Sequence, residues 1–269
     1  MKLKNGSLFN GDTIEVMQEL IDVDTKVDYI LTSPPYNMRG HEKEYYNNAD
    51  YFKDNKSNDE YALWIIDLFH HYKDLLKENG VVIFNMNYMS SLKNRAFNLF
   101  KIISRIEEET EFTLIDQIAW KKDSAMALTE ARLSRIFENV WIFIKKDDWK
   151  SFNQKYKKVL AGKWNFIEAP NNDFVNDVNK ACFSSSLVES LLHLYDIQEG
   201  NVVLDNFMGT GTTAIGAIKC NAKYIGIELD KDTFNFSLER IHSFEGDFTK
   251  TYFSKEQNLF SIGEENERK

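Results

Sequence analysis

Val202-Val203-Leu204-Asp205-Asn206-Phe207-Met208-Gly209-Thr210-Gly211-Thr212-Thr213 runs from a short apolar strand through a glycine-rich turn into a helix. Glycines at such a turn let the backbone approach a ligand closely, and the helix N-terminus behind them favours negative groups. Glu228 closes the next apolar run, 17 positions after Gly211, where an acid can accept hydrogen bonds from ribose hydroxyls. No lysine follows the second glycine, so this is not a phosphate-binding Walker loop. Taken alone, the loop suits a dinucleotide or any other cofactor built on adenosine, and a purely structural turn would look similar.

Outward from this loop the chain alternates. Strands are expected at Asn201–Leu204 and Lys223–Glu228, with helices at Leu187–Tyr195, Thr213–Lys219 and Phe234–Ile241. Upstream, Val27–Leu31 and Val81–Phe84 are continuous apolar runs of the kind found in strands covered on both faces. Helical spacing marks Glu60–Glu78, stopped by Asn79-Gly80, and a second helix near Leu92–Ile106. Further strands fall at Phe112–Trp120 and Asn139–Ile144, and Met38–Asn58 reads as a long mobile loop, of a kind that is often functional. Strands alternating with helices define an α/β fold, a mostly parallel twisted sheet with helices on both faces.

Ligand crevices in such sheets lie beyond the carboxyl ends of the strands. Thr32-Ser33-Pro34-Pro35-Tyr36 sits at one of those ends. Two successive prolines fix the backbone and remove two N–H donors, leaving the Ser33 and Pro34 carbonyls without a local partner. A fixed carbonyl and a hydroxyl can accept hydrogen bonds from a planar amino group while an aromatic ring stacks on the heterocycle that carries it. A rigid turn with Tyr36 in the core is the plainer alternative.

Ser33-Pro34-Pro35-Tyr36 together with Phe207-Met208-Gly209-Thr210-Gly211-Thr212 resembles the S-adenosylmethionine-dependent amino-group DNA methyltransferases. The order, catalytic segment first and cofactor loop second, is similar to that of their beta class, a circularly permuted version of the Rossmann-like methyltransferase fold with a small recognition insert. The resemblance runs from Asn10-Gly11-Asp12 to about Ile241. It implies that Ser33, Pro34, Pro35 and Tyr36 are catalytic. It also implies that Asp12 holds the cofactor's adenine, that Asp205 lies near its methionine moiety and that Glu228 binds its ribose, with Phe207, Gly209, Thr210, Gly211 and Thr212 forming the loop. On this basis residues 1–146 are the catalytic half, 147–179 the recognition region, 180–250 the cofactor half and 251–269 a tail. Two features depart from the family pattern: Asp205 is followed by Asn206 rather than proline, and Lys180–Leu187 lacks the family's prolines.

The charge distribution is that of a localised contact to a polyanion, or of a solvated helical face with extra lysines. The chain as a whole carries −9, yet Gln117–Lys163 holds eleven Lys/Arg against five Asp/Glu, a basic island in an acidic body. Lys145, Lys155, Lys157, Lys158 and, in the long loop, Arg39 are the expected contacts to double-stranded DNA. Serine in the tetrapeptide favours cytosine N4 as acceptor, with adenine N6 the alternative. A nicotinamide-type oxidoreductase would leave the tetrapeptide and the island unexplained, and a catalytically silent DNA-binding subunit would have no use for an intact tetrapeptide. The two cysteines, Cys182 and Cys220, lack the preceding proline of a carbon-5 cytosine methyltransferase and exclude a disulfide framework. No metal-ligand spacing occurs. With no apolar run of membrane-spanning length, a cytoplasmic protein is expected, as are a homodimer and a cognate restriction endonuclease as partners.

Overall fold

The computed structural model describes residues 1–37, 56–87, 95–124, 135–173 and 183–246. Its strands are β1 (Gly6–Asn10), β2 (Val27–Thr32), β3 (Leu76–Asn85), β4 (Phe112–Lys121), β5 (Phe137–Lys145), β6 (Phe166–Glu168), β7 (Val202–Asp205) and β8 (Lys223–Glu228). The helices are α1 (Thr13–Asp22), α2 (Asn58–Leu75), α3 (Arg95–Glu109), α4 (Trp149–Leu160), α5 (Ser185–Leu194), α6 (Thr212–Lys219) and α7 (Lys231–Glu245). All eight strands join one sheet in the order β1-β8-β7-β2-β3-β5-β4-β6. Pairing is parallel from β1 through β3, antiparallel on both sides of β5, and parallel again between β4 and β6. The expected mostly parallel α/β sheet is present, and its permutation is visible in the pairing: β7 and β8 lie between β1 and β2.

Alternation along the central strands sorts the core into two layers, because successive strand side chains point to opposite faces. Leu31, Val81, Ile83, Val140, Ile142 and Val203 face α4, α5, α6 and α7. Ile30, Val82, Phe84, Trp141, Phe143 and Leu204 face α1, α2 and α3. At the centre of the second layer Phe69 is fully buried, with Tyr72, Phe84, Phe112 and Phe143 around it at ring separations of 5.0–5.4 Å.

Two segments differ from the sequence reading. The helix expected to reach Glu78 ends at Leu75, and β3 begins at Leu76, which pairs with Val27. Asn79 takes a left-handed conformation (φ 57°), and its N–H is held by Asp148 Oδ2 at 2.8 Å. The helical spacing of Lys77 and Glu78 gives way to a tertiary strand pairing. Secondly, residues 147–173 are not a separate insert. α4 packs Phe152 and Tyr156 into the core, and β6 extends the main sheet beside β4.

Candidate active site

Five neighbouring strands end along one edge of the sheet, at Asn10, Glu228, Asp205, Thr32 and Asn85. β7 connects outward to β8 and β2 connects outward to β3, so the topological switch point lies between β7 and β2. The glycine loop leaves β7 and the tetrapeptide leaves β2 at this point. Thr32 Oγ1 donates to Asp205 Oδ1 at 2.7 Å and clamps the two strand ends together.

Asp205 is 3% exposed. Its carboxylate also accepts the Thr213 hydroxyl at 2.5 Å and the Phe207 N–H at 3.0 Å. Burial pushes this carboxyl above the usual range, while the three donors favour its ionised form. The residue expected beside the methionine moiety is therefore turned into the fold, where it joins β2, β7 and the first turn of α6. Asn206, the position without the family's proline, is buried and bridges two helices. It accepts from Tyr72 Oη and donates to Thr13 Oγ1, each at 2.9 Å.

The N–H groups of the two glycines are not left open to a ligand. Gly209 N donates to Glu228 Oε2 at 2.9 Å and Gly211 N to the Met208 carbonyl at 3.0 Å. The glycines act through conformation and space instead: both have positive φ, 52° and 81°. A Cβ on Gly211 would lie 2.7 Å from Ile241 Cδ1. Glu228 takes a second backbone donor, Asp230 N at 2.9 Å, on Oε1. An ionised carboxylate has about four acceptor positions, so two remain for hydroxyl donors. Burial raises the Glu228 pKa to about 7, although both backbone donors pull it down. Asp12, one residue beyond the Gly11 that donates to the Glu228 carbonyl at 3.1 Å, caps α1 through Ile14 N at 2.9 Å. The structure thus groups Asp12, Glu228, Gly209, Gly211 and Phe207 on the β8–β7 side of the crevice.

On the β2 side, Ser33 Oγ and Tyr36 Oη are 3.1 Å apart, and Tyr36 Oη also approaches the Asn85 carbonyl at 3.5 Å. Pro34 is buried, while Ser33, Pro35 and Tyr36 are half-buried. The Pro35 carbonyl is taken by Tyr61 Oη at 2.6 Å. No donor among the described residues takes the Pro34 carbonyl. Asn37, 2% exposed and left-handed (φ 55°), turns the chain after the tetrapeptide, with its Nδ2 on the Lys56 carbonyl at 2.9 Å. Trp64 stands beside Phe207 at 5.4 Å, with Lys56 over its ring at 5.5 Å. One face of α2 thus reaches both halves of the crevice.

The sequence reading missed Tyr61 and Trp64. Their three-residue spacing next to the Ser57/Glu60 capping box was the available signal, but it marks only a helix start. Asn37 and Arg240 were missed as well.

The basic residues divide into two groups. Lys145 lies at the far end of the sheet, where its Nζ donates to the Leu76 carbonyl at 3.1 Å, so the structure does not bring it to the crevice. Neighbouring Lys146 likewise holds the Glu107 and Thr110 carbonyls. Lys155, Lys157 and Lys158 form an exposed face of α4. Arg39, Cys182 and most of the Met38–Asn58 loop lie outside the described residues. Cys220 is buried, and no group of three or more His, Cys, Asp or Glu among the described residues could hold a metal.

The fold and this crevice define an α/β protein with a glycine-rich loop and the Ser-Pro-Pro-Tyr segment side by side at its switch point. A family model for DNA methylases of the N6/N4 type matches residues 27–239, and the chain belongs to that family. Membership carries the reaction class to which both motifs pointed, transfer of a methyl group from S-adenosylmethionine to an exocyclic amino group of DNA. The chain is 24% identical over 265 residues to the type II methyltransferase M.BglII of Bacillus subtilis, covering 86% of this chain and 68% of that one. It is 25% identical over 258 residues to the orphan methyltransferase M.BamHII of Bacillus amyloliquefaciens, covering 82% and 91%. Among solved structures, the cytosine-N4-specific PvuII DNA methyltransferase superposes with a TM-score of 0.68 at 19% identity, over 90% of this chain and 92% of that one. No helix among the described residues is long and apolar enough to cross a membrane.

Proposed function

We propose that the protein methylates N4 of a cytosine flipped out of double-stranded DNA. The observation that carries this reading is the Thr32–Asp205 bond at the switch point, which holds Ser33-Pro34-Pro35-Tyr36 directly beside the glycine loop. Donor and acceptor sites are thereby fixed against each other before anything binds, which favours in-line transfer by positioning.

The residues present fit S-adenosylmethionine. Glu228 retains acceptor capacity for ribose hydroxyls, Asp12 stands at the adenine end, and the positive-φ turn at Gly209 and Gly211 brings the backbone between β7 and α6 into the crevice. When bound, the cofactor supplies an electrophilic sulfonium methyl group. The chain's own residues act on the acceptor. A Ser33 hydroxyl donating to Tyr36 Oη keeps its lone pairs for one amino N–H, and the Pro34 carbonyl accepts the other. Two acceptors draw the nitrogen toward tetrahedral geometry and release its lone pair from the ring. Tyr36 stacks on the flipped base. Asp205 does not touch the cofactor in this scheme. It sets the loop and Thr32 from beneath.

The exposed lysines of α4 serve the DNA backbone, and residues 147–179 form the recognition region even though the fold incorporates residues 147–173. So short a region favours a homodimer. A cognate restriction endonuclease and a cytoplasmic location complete the reading. To test it, the protein is incubated with duplex DNA and methyl-labelled S-adenosylmethionine, and the DNA is digested to nucleosides for mass analysis. Labelled N4-methylcytosine is the expected product. N6-methyladenine would assign the other base, and unlabelled DNA of varied sequence would overturn the DNA reading.

A further inference from the structure

Arg240 lies on α7 with its side chain only 13% exposed. Its Nη1 donates to the Thr210 carbonyl at 3.0 Å, to Thr210 Oγ1 at 3.2 Å and to Thr212 Oγ1 at 2.9 Å. Its Nη2 meets Asp173 Oδ2 at 2.6 Å. The guanidinium therefore gathers three acceptors of the glycine loop on one side and a carboxylate on the other. Asp173 is itself anchored. Its Oδ1 accepts both the N–H and the hydroxyl of Ser185, at 2.8 and 3.1 Å, and so ties the chain after β6 to the start of α5.

Helix stability does not account for this cation. Arg240 sits at the N-terminal end of α6, where the helix dipole disfavours positive charge. The Gly211 N-cap supplies no side-chain cap of its own. The loop also rests directly on α7, since a Cβ at Gly211 would strike Ile241 and approach Ser237. The shape of Thr210-Gly211-Thr212 is thus set from α7. A planar fork reaches several acceptors at once, which a lysine ammonium on a flexible stem does not reproduce.

We infer that Arg240 is a positioning residue for the cofactor loop, and that Asp173 is the counter-ion on which this positioning depends. The inference rests on the reading that the glycine loop holds S-adenosylmethionine. It makes cofactor affinity answer to a residue outside the cofactor half, in the segment assigned to DNA recognition.

The test is calorimetric binding of S-adenosylmethionine to the wild type and to Arg240→Lys, Asp173→Asn and their combination, with methyl-transfer kinetics and melting for each. Hydrogen bonds to a charged group are each worth enough to change affinity by about tenfold or more. The expected result is a Kd and a cofactor KM raised about tenfold in each single variant. The double variant is expected to be no worse than the poorer single one, as for two members of one network. Turnover at saturating cofactor stays within about threefold of the wild type, a split that a general loss of structure would not give. Unchanged Kd in Arg240→Lys, or losses that multiply in the double variant, would overturn the inference. If Arg240→Lys does not fold, Asp173→Asn decides, since an unaltered cofactor Kd there removes the counter-ion role. Glu228→Gln, measured at pH 8 where the wild-type carboxyl is ionised, serves as the control for the underlying reading: full cofactor affinity in that variant at this pH would sink the loop assignment itself.

Discussion

Replacing Glu228 with glutamine tests the cofactor side of the site through protons. The Glu228 carboxyl is raised to about 7 by burial, against an ordinary value of 4.5. If only the carboxylate receives two ribose hydroxyls, binding must release the proton, and apparent affinity scales with the ionised fraction. That fraction is about one-eleventh at pH 6 and about ten-elevenths at pH 8, so the wild-type Kd should fall about tenfold across this interval. Near pH 7 binding should release about half a proton, measurable as a dependence of the calorimetric heat on buffer ionisation enthalpy. Glu228→Gln cannot ionise. Its affinity should match the wild type near pH 6 and fall behind by about tenfold at pH 8. The sign for folding is the opposite. Because the folded pKa lies above the unfolded one, the group favours the folded state least once it ionises. Stability should drop by about 3 kcal/mol relative to Glu228→Gln as pH rises from 4.5 through 7, an amount set by a carboxyl raised from 4.5 to about 7. Parallel pH profiles of wild type and variant, in both binding and melting, would refute the reasoning.

Other expectations follow from the same geometry. Ser33→Ala should lower turnover by about two orders of magnitude, comparable to losing one preorganised electrostatic partner, while cofactor Kd stays within twofold; a single-turnover methylation assay checks this. Phe69→Ala empties the aromatic cluster of the second layer and should cost about 3–5 kcal/mol, read as a shift of the urea midpoint. Ser57→Ala removes the capping box of α2 and should cost about 1 kcal/mol by the same measurement. Lys157→Ala with Lys158→Ala should weaken DNA binding without regard to sequence and reduce the salt slope by up to about two, seen by fluorescence anisotropy over a salt series; an unchanged slope would remove α4 from the DNA interface.

Much of the fold is written in short-range pattern. The runs at Val27–Leu31, Val81–Phe84 and Asn139–Ile144 could only be covered strands, and each lies within a strand of the sheet. The boundary at Leu75 was not legible, because Lys77 and Glu78 continue a helical spacing that only the pairing of Leu76 with Val27 overrides. The motifs located both halves of the crevice, but not the bonds that support them. Tyr72 meets Asn206 across 134 residues and Arg240 meets Asp173 across 67, separations at which no local pattern survives. Nor could composition show which lysines of the basic island were already occupied: Lys145 and Lys146 hold backbone carbonyls, whereas the α4 lysines face solvent.

The interleaving of β7 and β8 between β1 and β2 bears on how the chain is made. The bond from Asn10 to the Glu228 carbonyl spans 218 residues, and that from Thr32 to Asp205 spans 173. During synthesis the earlier strands emerge with a gap two strands wide between β1 and β2, and the pieces that fill it leave the ribosome only after β6. Until then β1 has no neighbour, and β2 presents an open, strongly apolar edge. Such long-range closure is slow and leaves a sticky intermediate. The nascent chain therefore keeps an exposed apolar sheet edge until β7 and β8 have been translated, and the tetrapeptide and the glycine loop come together only when the sheet closes.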